Sequence, residues 1–583
     1  MKVTALLATL SLIGTGSTTP PKPPQAGSLS PRTAASPKLT YFDLSKAESF
    51  GPAQSWNEQS DRETEIIPSA VSPSRVAVIA RALYLWLVFT PLLSTALPAA
   101  WSPAFRCNLW YPLVCWTLAR GGAAWIKWAQ WASTRPDILP EQLCAQLAKL
   151  QTAAPAHSYA YTKQEVENTF GRALEEVFQD FSENPVASGS IAQVHFARYE
   201  GEKVAVKVRH PNVAKQLSID FRIMRWAADV VSVIPGLSWL NLRQSVEAFS
   251  HTMTGQTLLD VEGNHLALFN HNFRTWDDVK FPKPIVSSEA VLVESFMEGR
   301  LVSDFIGFDD VSLVGDASGS GASAVVVRGR LPLEVAHFVV TRGEDLYLQM
   351  LLVDGLMHAD LHPGNILVTM ASSNSGTVSG KTQITLVDAG MVASLKPSEQ
   401  KHFVGLLACM GEGDGDGAAA HVLAFSDAQT CASEACRAEF RLAMRDLFMS
   451  RCRGYGTNID LALVLRGVLS LVREHGVRID VNYATLVMNA LCLDGLANAL
   501  LPDYNIMDAA APLLRAYAKL ESFTSNGKAE GGKGNGLLKS MGIPIAMKRK
   551  RKHDAWVNER LARIDPSDPG ALEERRKLLT KTF

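Results

Sequence analysis

The 583-residue sequence has no surplus of charge of either sign: 57 Lys and Arg stand against 58 Asp and Glu, for a formal net charge of -1. That excludes a global electrostatic pull toward nucleic acid, and no nucleic-acid partner is expected. Cysteine is scarce. Its eight copies, at 107, 115, 144, 409, 431, 436, 452 and 492, form no CxxC pair and no metal-like Cys/His spacing, which predicts reduced thiols that fill the core. Acidic residues are missing before Asp43, and the leader is rich in Ser, Thr and Pro with few basic residues, as organellar transit peptides are. The opening ALLATLSLIG also fits the apolar part of a secretory signal, as in a bipartite plastid address. Charge is absent again over nineteen residues, Ala82 to Ala100. At ~1.5 Å per residue that length is about what a hydrocarbon core of ~30 Å requires. Pro91 and Pro98 interrupt it, so an inserted, kinked helix and a hydrophobic helix packed on the protein's own surface both stay open.

The composition that is present, 47% hydrophobic and 20% charged, is globular, and the length calls for at least two lobes with non-globular ends. Residues 102–180 carry apolar residues at helical spacing. The period then changes to two: VASGSIAQVHFARYEGEKVAVKVRHP alternates apolar and polar residues around the turn YEGE, a β-hairpin signature. Helical stretches follow at 212–234 and 243–272, then two strands in FPKPIVSSEAVLVESFMEG, then a Gly/Ser-rich insertion at 314–323 read as a surface loop. Beyond it the pattern is mainly helical, broken by a strand pair, NILV and ITLVDAG, joined by a polar linker.

The chemistry-bearing residues fall on this second half of the pattern. In HADLHPGNILV, Asp360 and Asn365 are separated by four residues, as in the protein-kinase loop H-R-D-L-x-x-x-N, where the Asp orients a nucleophile and the Asn oxygen ligates magnesium. Asp388 in ITLVDAG follows an apolar strand and precedes glycine 28 residues later (388 minus 360), the place of the metal-binding Asp of D-F-G, with Ala389 in place of the Phe. Lys207 in VAVK sits on a strand as the phosphate-binding lysine does. The preceding Ala187, Ser188, Gly189, Ser190, Ile191, Ala192 and Val194 keep the frame of the nucleotide loop G-x-G-x-x-G-x-V with alanine at the first and third glycines. Backbone groups from Glu294 to Met297 are placed to read an adenine edge. Together these predict an α+β, protein-kinase-like two-lobed fold with an N-terminal helical extension and Mg-ATP as cofactor. The expected boundaries are a targeting peptide and disordered linker at 1–75, a hydrophobic membrane-associating segment at 76–101, the helical extension at 102–180, the N-lobe at 181–300, the C-lobe at 301–520 and a basic tail at 521–583. The tail's run MKRKRKH, 547–553, is a local basic patch that suits anionic lipid or nucleic acid if it is not simply solvated.

The alanine-containing loop, QVH-x-A, VAVKV and HADLHPGN resemble the UbiB-like (aarF-domain) atypical kinase family more than ordinary protein kinases, over about residues 76–400. WASTRPDILPEQLC, the glycine inside the alanine loop and D-A-G make the chain most similar to the eukaryotic branch of aarF-domain kinase two. The resemblance implies that Lys127 and Gln130 stand in the family's K-x-G-Q motif, with Ala129 for the glycine, in an extension that folds over the active site and shuts out polypeptide acceptors. It implies a glutamate equivalent to that of kinase helix C at Glu262, while the family's E-x-D falls on Gln256, Thr257 and Leu258 and lacks both carboxylates. It further implies an ATPase, or a small-molecule or lipid kinase, that supports ubiquinone or a related prenyl-quinone pathway. The partners it implies are a nucleotide, membrane lipid or a prenyl-quinone precursor, and quinone-biosynthesis enzymes. The place is the mitochondrial inner membrane, with the plastid as alternative. A catalytically weak, nucleotide-switched scaffold is the alternative reading of the missing carboxylates.

Overall fold

The computed structural model describes residues 39–42, 75–133, 139–147, 156–232, 242–306, 331–370, 372–374, 377–379, 381–426, 429, 431, 433–525, 533–564 and 571–579. The leader before residue 39 and the Gly/Ser insertion at 314–323 lie outside them. The hairpin predicted from period-two alternation forms β3 (Ala192–Tyr199) and β4 (Glu202–Arg209), in register from Ala192↔Arg209 to Tyr199↔Glu202. Its two turn residues, Glu200 and Gly201, have φ of 52° and 86°, the left-handed pair that suits the right-handed twist of flanking strands. With β1 (Thr40–Tyr41), β2 (Ala187–Ser188), β6 (Pro284–Ser287) and β7 (Val291–Ser295) they build a six-stranded sheet of order β1-β6-β7-β4-β3-β2.

Strand β1 corrects the reading of residues 1–75 as leader and linker throughout. Thr40 pairs with Ser287, Tyr41 pairs with Val286, and the Phe42 amide donates to Ile285 O at 3.1 Å. The Phe42 ring rests on Gly263, where an added Cβ would come within 2.9 Å of it. A chain edge two residues long has too few alternations to register as a strand in sequence.

The extension consists of α1 (Arg75–Ser94), α2 (Ala96–Trp101), α3 (Tyr111–Gly121), α4 (Ala123–Ser133) and α5 (Glu141–Leu147), and α6 (Tyr159–Phe170) leads into the sheet. Helix α1 is pinned by one charge. Arg81 donates to both carboxylate oxygens of the fully buried Asp220, at 2.8 and 2.9 Å, and to Gly121 O. Leu85 and Leu92 face inward, but the opposite apolar face is uncovered: Leu83, Trp86, Leu87 and Leu93 are each about 60% exposed, and Trp101 on α2 is 84% exposed.

Asp220 lies on α7 (Val213–Ser232). The helix predicted over 243–272 is two helices, α8 (Leu242–Gln256) and α9 (Leu259–Asn272). The break falls where Leu258 turns extended, at φ -102° and ψ 98°, and Arg209 donates to the Thr257 carbonyl at 2.8 Å. The C-lobe packs α10 (Leu333–Gln349), α11 (Pro397–Glu412), α12 (Gly415–Leu423), α13 (Glu434–Arg451), α14 (Leu461–Glu474), α15 (Val481–Leu500) and α16 (Ile506–Ser525) around one apolar core. A second sheet, β5 (Val279–Lys280), β13 (Gln383–Leu386), β10 (Ile366–Thr369) and β8 (Arg300–Leu301), carries the predicted strand pair as β10 against β13. The linker between them is itself a small hairpin, β11 (Ser372–Asn374) against β12 (Thr377–Ser379), and β9 (Leu356–His358) pairs with β14 (Val392–Ser394).

Two further expectations are corrected. Cys431 and Cys436 are joined in a disulfide, their Cα atoms 5.7 Å apart, because the chain turns at Ser433 to enter α13; spacing alone read them as thiols. The basic tail is a packed helix, α17 (Lys533–Leu561), followed by α18 (Ala571–Leu579). Lys550 is 1% exposed, and the Arg551 guanidinium lies 3.7 Å from the centre of the Trp276 ring. The run 547–553 is therefore in part a docking surface of the chain for itself.

Candidate nucleotide site

Between the two lobes the structure brings together residues that lie far apart in sequence. Lys207, on β4 and 8% exposed, donates to Glu262 of α9 and stands 3.6 Å from Glu294 of β7. Burial opposes its charge, but Glu262, Glu294 and Asp388 outweigh that and hold its pKa above the ordinary value. Both glutamates are pushed up, first by burial, although Lys207 pulls the other way. Asp388 is lowered: its burial is outweighed by the charges of Lys207 and Lys127. An ionised Asp388 thus shares one buried lysine with two carboxyl groups, an arrangement that a bound cation would complement.

The backbone fixes Asp388 in an unusual way. Its φ is +67°, uncommon for a residue with a side chain, and its Oδ1 accepts from Gly390 N at 3.2 Å. His358 ties the two motif segments together: its Nε2–H donates to Asp388 O at 2.9 Å while its Nδ1 accepts from Asp360 N at 3.2 Å. That assigns one neutral tautomer, and burial, the largest influence, holds its pKa low. Asn489 of α15 supports the same residue by donating to His358 O at 2.6 Å. Ala389, where a Phe would stand, is 1% exposed, and its carbonyl accepts from His265 Nδ1 at 3.0 Å.

Asn365 donates its amide to Asp360 O at 3.1 Å and to Asp360 Oδ2 at 3.2 Å, which turns its carbonyl oxygen away from that contact. The donor set Asn365 Oδ1 and Asp388 carboxylate consists of hard oxygens, which fits magnesium held jointly by protein and phosphates. Among the described residues no group of three or more His, Cys, Asp or Glu side chains forms a metal cage by itself. Buried polar atoms without hydrogen-bond partners also lie here: Ser188 Oγ in the loop, Gln256 Oε1 and Glu294 Oε2.

The loop residues Ala187 and Ser188 form β2, paired with Val194 and Gln193, and Gly189 N donates to Ala192 O at 2.9 Å. Of the stretch expected to read adenine, Ser295 N already donates to Lys283 O at 2.9 Å and Phe296 N to Lys203 O at 3.1 Å. Met297 lies beyond the strand. Glu294 contributes differently from the expectation: its side chain turns into the cleft. Alternation shows why, since Lys207 pairs with Leu292 and Ala205 with Glu294, so all four share one face. That signal was available in VLVES. His358 is the first residue of HADLHPGN, at the His of H-R-D, but its bond to the Asp388 segment was not readable there, and no sequence signal pointed to His265.

Residues 149–422 match the ABC1 atypical kinase-like domain. The Dictyostelium discoideum protein named "Probable serine/threonine-protein kinase abkC" is 30% identical over 499 residues, 74% of this chain and 68% of that protein. The chain belongs to the ABC1 family. The Schizosaccharomyces pombe "ABC1 family protein C21C3.03, mitochondrial" is 26% identical over 526 residues, 75% of this chain and 71% of that protein. "Probable protein kinase UbiB" of Tolumonas auensis is 24% identical over 405 residues, 68% of both chains. The small sheet and the helical lobe give this ABC1 chain a protein-kinase-like α+β fold preceded by a helical extension. Within it, Lys127 is half-buried on α4 and its charge reaches Asp388; Gln130 lies on the same helix, its side chain outside those described. Ala129 is fully buried in a helix, where alanine serves as well as glycine or better. Gln256 ends α8 close to the site: its Nε2 and Glu262 Oε2 each lie 4.0 Å from where a Cβ on Gly390 would be.

Proposed function

We propose that this ABC1 protein binds Mg-ATP and transfers its γ-phosphoryl group to water or to a small, lipid-like acceptor, in support of prenyl-quinone metabolism at a mitochondrial membrane. The observation that carries the reading is the buried Lys207–Glu262 pair facing an ionised Asp388, beside an Asp360 held by Asn365. Lys207 binds and orients phosphate oxygens; Glu262 keeps its ammonium in place. Asp360 orients the attacking hydroxyl or water and takes its proton at a carboxylate oxygen. Asn365 and Asp388 would hold magnesium, which when bound neutralises charge on the phosphates. Placement and charge compensation supply the rate enhancement. One observation favours the scaffold reading as second choice: Glu294 shares Lys207 with Glu262, which weakens the lysine's hold on phosphate.

Thermal and urea unfolding with and without Mg-ATP tests this directly. At about 100 times its Kd the ligand adds roughly 2.7 kcal/mol to stability. Asp388→Asn is expected to remove most of that shift, and Asp360→Asn to abolish phosphate release while the shift persists. An Asp388→Asn protein that responds to nucleotide like the parent would disprove the metal assignment; binding without release in the parent would favour the scaffold.

The membrane half of the proposal rests on α1, whose uncovered apolar residues need an apolar neighbour. Full burial of each is worth roughly 1.5–3 kcal/mol. Replacing Leu83, Trp86, Leu87 and Leu93 together by serine is expected to lower co-flotation with phospholipid vesicles at least tenfold. The unfolding midpoint should barely move, because Arg81 and its contact with Asp220 are kept. Unchanged flotation would show that another surface meets the lipid.

A further inference from the structure

A chain of hydrogen bonds runs from the nucleotide loop into the segment that joins the extension to the sheet, and its direction can be deduced. At one end the His195 Nδ1 faces Ser182 O at 2.8 Å, and a carbonyl only accepts, so Nδ1 carries the proton and Nε2 is an acceptor. Gln193 donates to that Nε2 at 2.9 Å; its amide orientation is set independently, since Gln193 Oε1 accepts from His157 N at 2.9 Å. At the other end the His210 Nε2 faces Gly189 O at 2.8 Å and must donate. In a neutral ring the His210 Nδ1 then accepts, so His157 Nδ1, 2.7 Å away, is the donor. His157 Nε2 is left to accept from the Thr162 hydroxyl at 3.0 Å, and Thr162 Oγ1 accepts from Gln193 at 3.2 Å. The Gln193 amide also reaches His157 O at 3.3 Å and the Thr162 hydroxyl also reaches His195 Nε2 at 3.3 Å, so it is the two carbonyls, Ser182 O and Gly189 O, that anchor the pattern at its ends.

Gln193, His195 and Thr162 are fully buried, and burial, followed by the charges of His210 and His195, holds His157 down to about 4, so His157 is the neutral member of the pair. His210 grips the loop twice. Besides the imidazole bond to Gly189 O, its backbone N–H donates to Ile191 O at 2.8 Å. The loop does not owe its shape to glycine: a Cβ on Gly189 would meet only Ala192 O, at an ordinary 3.5 Å.

We propose that His210 is a positioning residue for the nucleotide loop, fixing the Gly189 and Ile191 carbonyls, and that His157 fixes the tautomer of His210 and thereby couples the loop to the helical extension. This rests on reading residues 187–194 as the nucleotide loop. An alanine at 210 would release Gly189 O, and beside a His157 that donates at Nδ1 the tie takes a side chain offering one donor and one acceptor. Glutamine offers both.

The test uses the full chain in detergent micelles, measuring Mg-ATP affinity by calorimetry and amide exchange of residues 187–192 without nucleotide. His210→Ala is expected to weaken Mg-ATP about tenfold and to speed loop exchange at least tenfold, His210→Gln to restore most of both, and His157→Ala to cause about half the effect on a logarithmic scale. The double variant should be no worse than His210→Ala. If His210→Gln is as impaired as His210→Ala, if the two single effects simply add, or if loop exchange is unchanged, the proposal is overturned. His157→Ala keeps the question decidable should His210→Ala not fold: parent-like exchange and affinity there overturn it. Faster loop exchange in the variants of a parent that binds no nucleotide would retain the histidine tie while refuting the nucleotide reading.

Discussion

Lys550→Met is expected to destabilise the protein by roughly 3–5 kcal/mol, the loss usual when one partner of a buried ionic cluster is removed. Lys550 is 1% exposed and meets Asp345 at 3.1 Å, Asp554 at 3.2 Å and Glu344 at 3.4 Å. Glu344 also accepts from the Tyr504 hydroxyl, and Arg342 pairs with Asp345 at 2.6 Å and with Asp278 at 2.9 Å. Methionine fills the volume but leaves Glu344 and Asp345 buried without that cation. Glu344 is already pushed up to about 7 by burial, the charge of Lys550 being the largest opposing influence. Because Lys550 sits on α17, the loss should show as undocking of that helix, with early proteolysis beyond residue 525, as well as a lower urea midpoint. Lys552→Met, at an exposed neighbouring position, serves as the control and should stay within about 0.5 kcal/mol of the parent. If Lys550→Met matches that control, α17 is held by its apolar contacts and the cluster is incidental.

The contrast between Lys550 and the rest of its run shows where sequence reading stops. Repeating patterns with a local physical cause were legible: alternation around Glu200 and Gly201 gave the hairpin, and the fixed spacing of Asp360, Asn365 and Asp388 gave the cleft residues that the fold brings together. Features that depend on what lies across the interface were not. Nothing in MKRKRKH distinguishes the lysine that meets Asp345, because the partner is 205 positions away (550 minus 345). The strand at Thr40 is too short to alternate, and the turn that brings Cys431 to Cys436 depends on where α13 begins. Glu294 is the intermediate case. Its face was readable from VLVES, yet its carboxylate became meaningful only once β7 was seen to pair with the strand carrying Lys207.

That placement leads to the prediction with the widest reach. Lys207→Met is expected to reduce Mg-ATP affinity by more than a hundredfold and to make stability depend on pH in a manner the parent does not share. The substitution leaves Glu262, Glu294 and Asp388 facing one another without the ammonium, a like-charge cluster in a buried site. Burial already holds both glutamates above their ordinary 4.5, Glu262 at about 7, and Lys207 is the largest influence pulling each of them down. Removing it raises them further. A carboxyl whose pKa is higher in the folded than in the unfolded chain lowers stability at pH above the folded value, and this penalty fades as pH falls toward the unfolded value. The difference in unfolding free energy between Lys207→Met and the parent should therefore be largest near pH 8, about 3–5 kcal/mol. It should shrink as pH falls from about 8 toward 7, where the parent's own Glu262 takes up its proton, and level off below that. Subtracting the parent at each pH removes the acid sensitivity common to both proteins. A difference that stays flat over that range would mean that the glutamates do not depend on Lys207 for their ionisation, and the charge balance on which the nucleotide site is argued would fail with it.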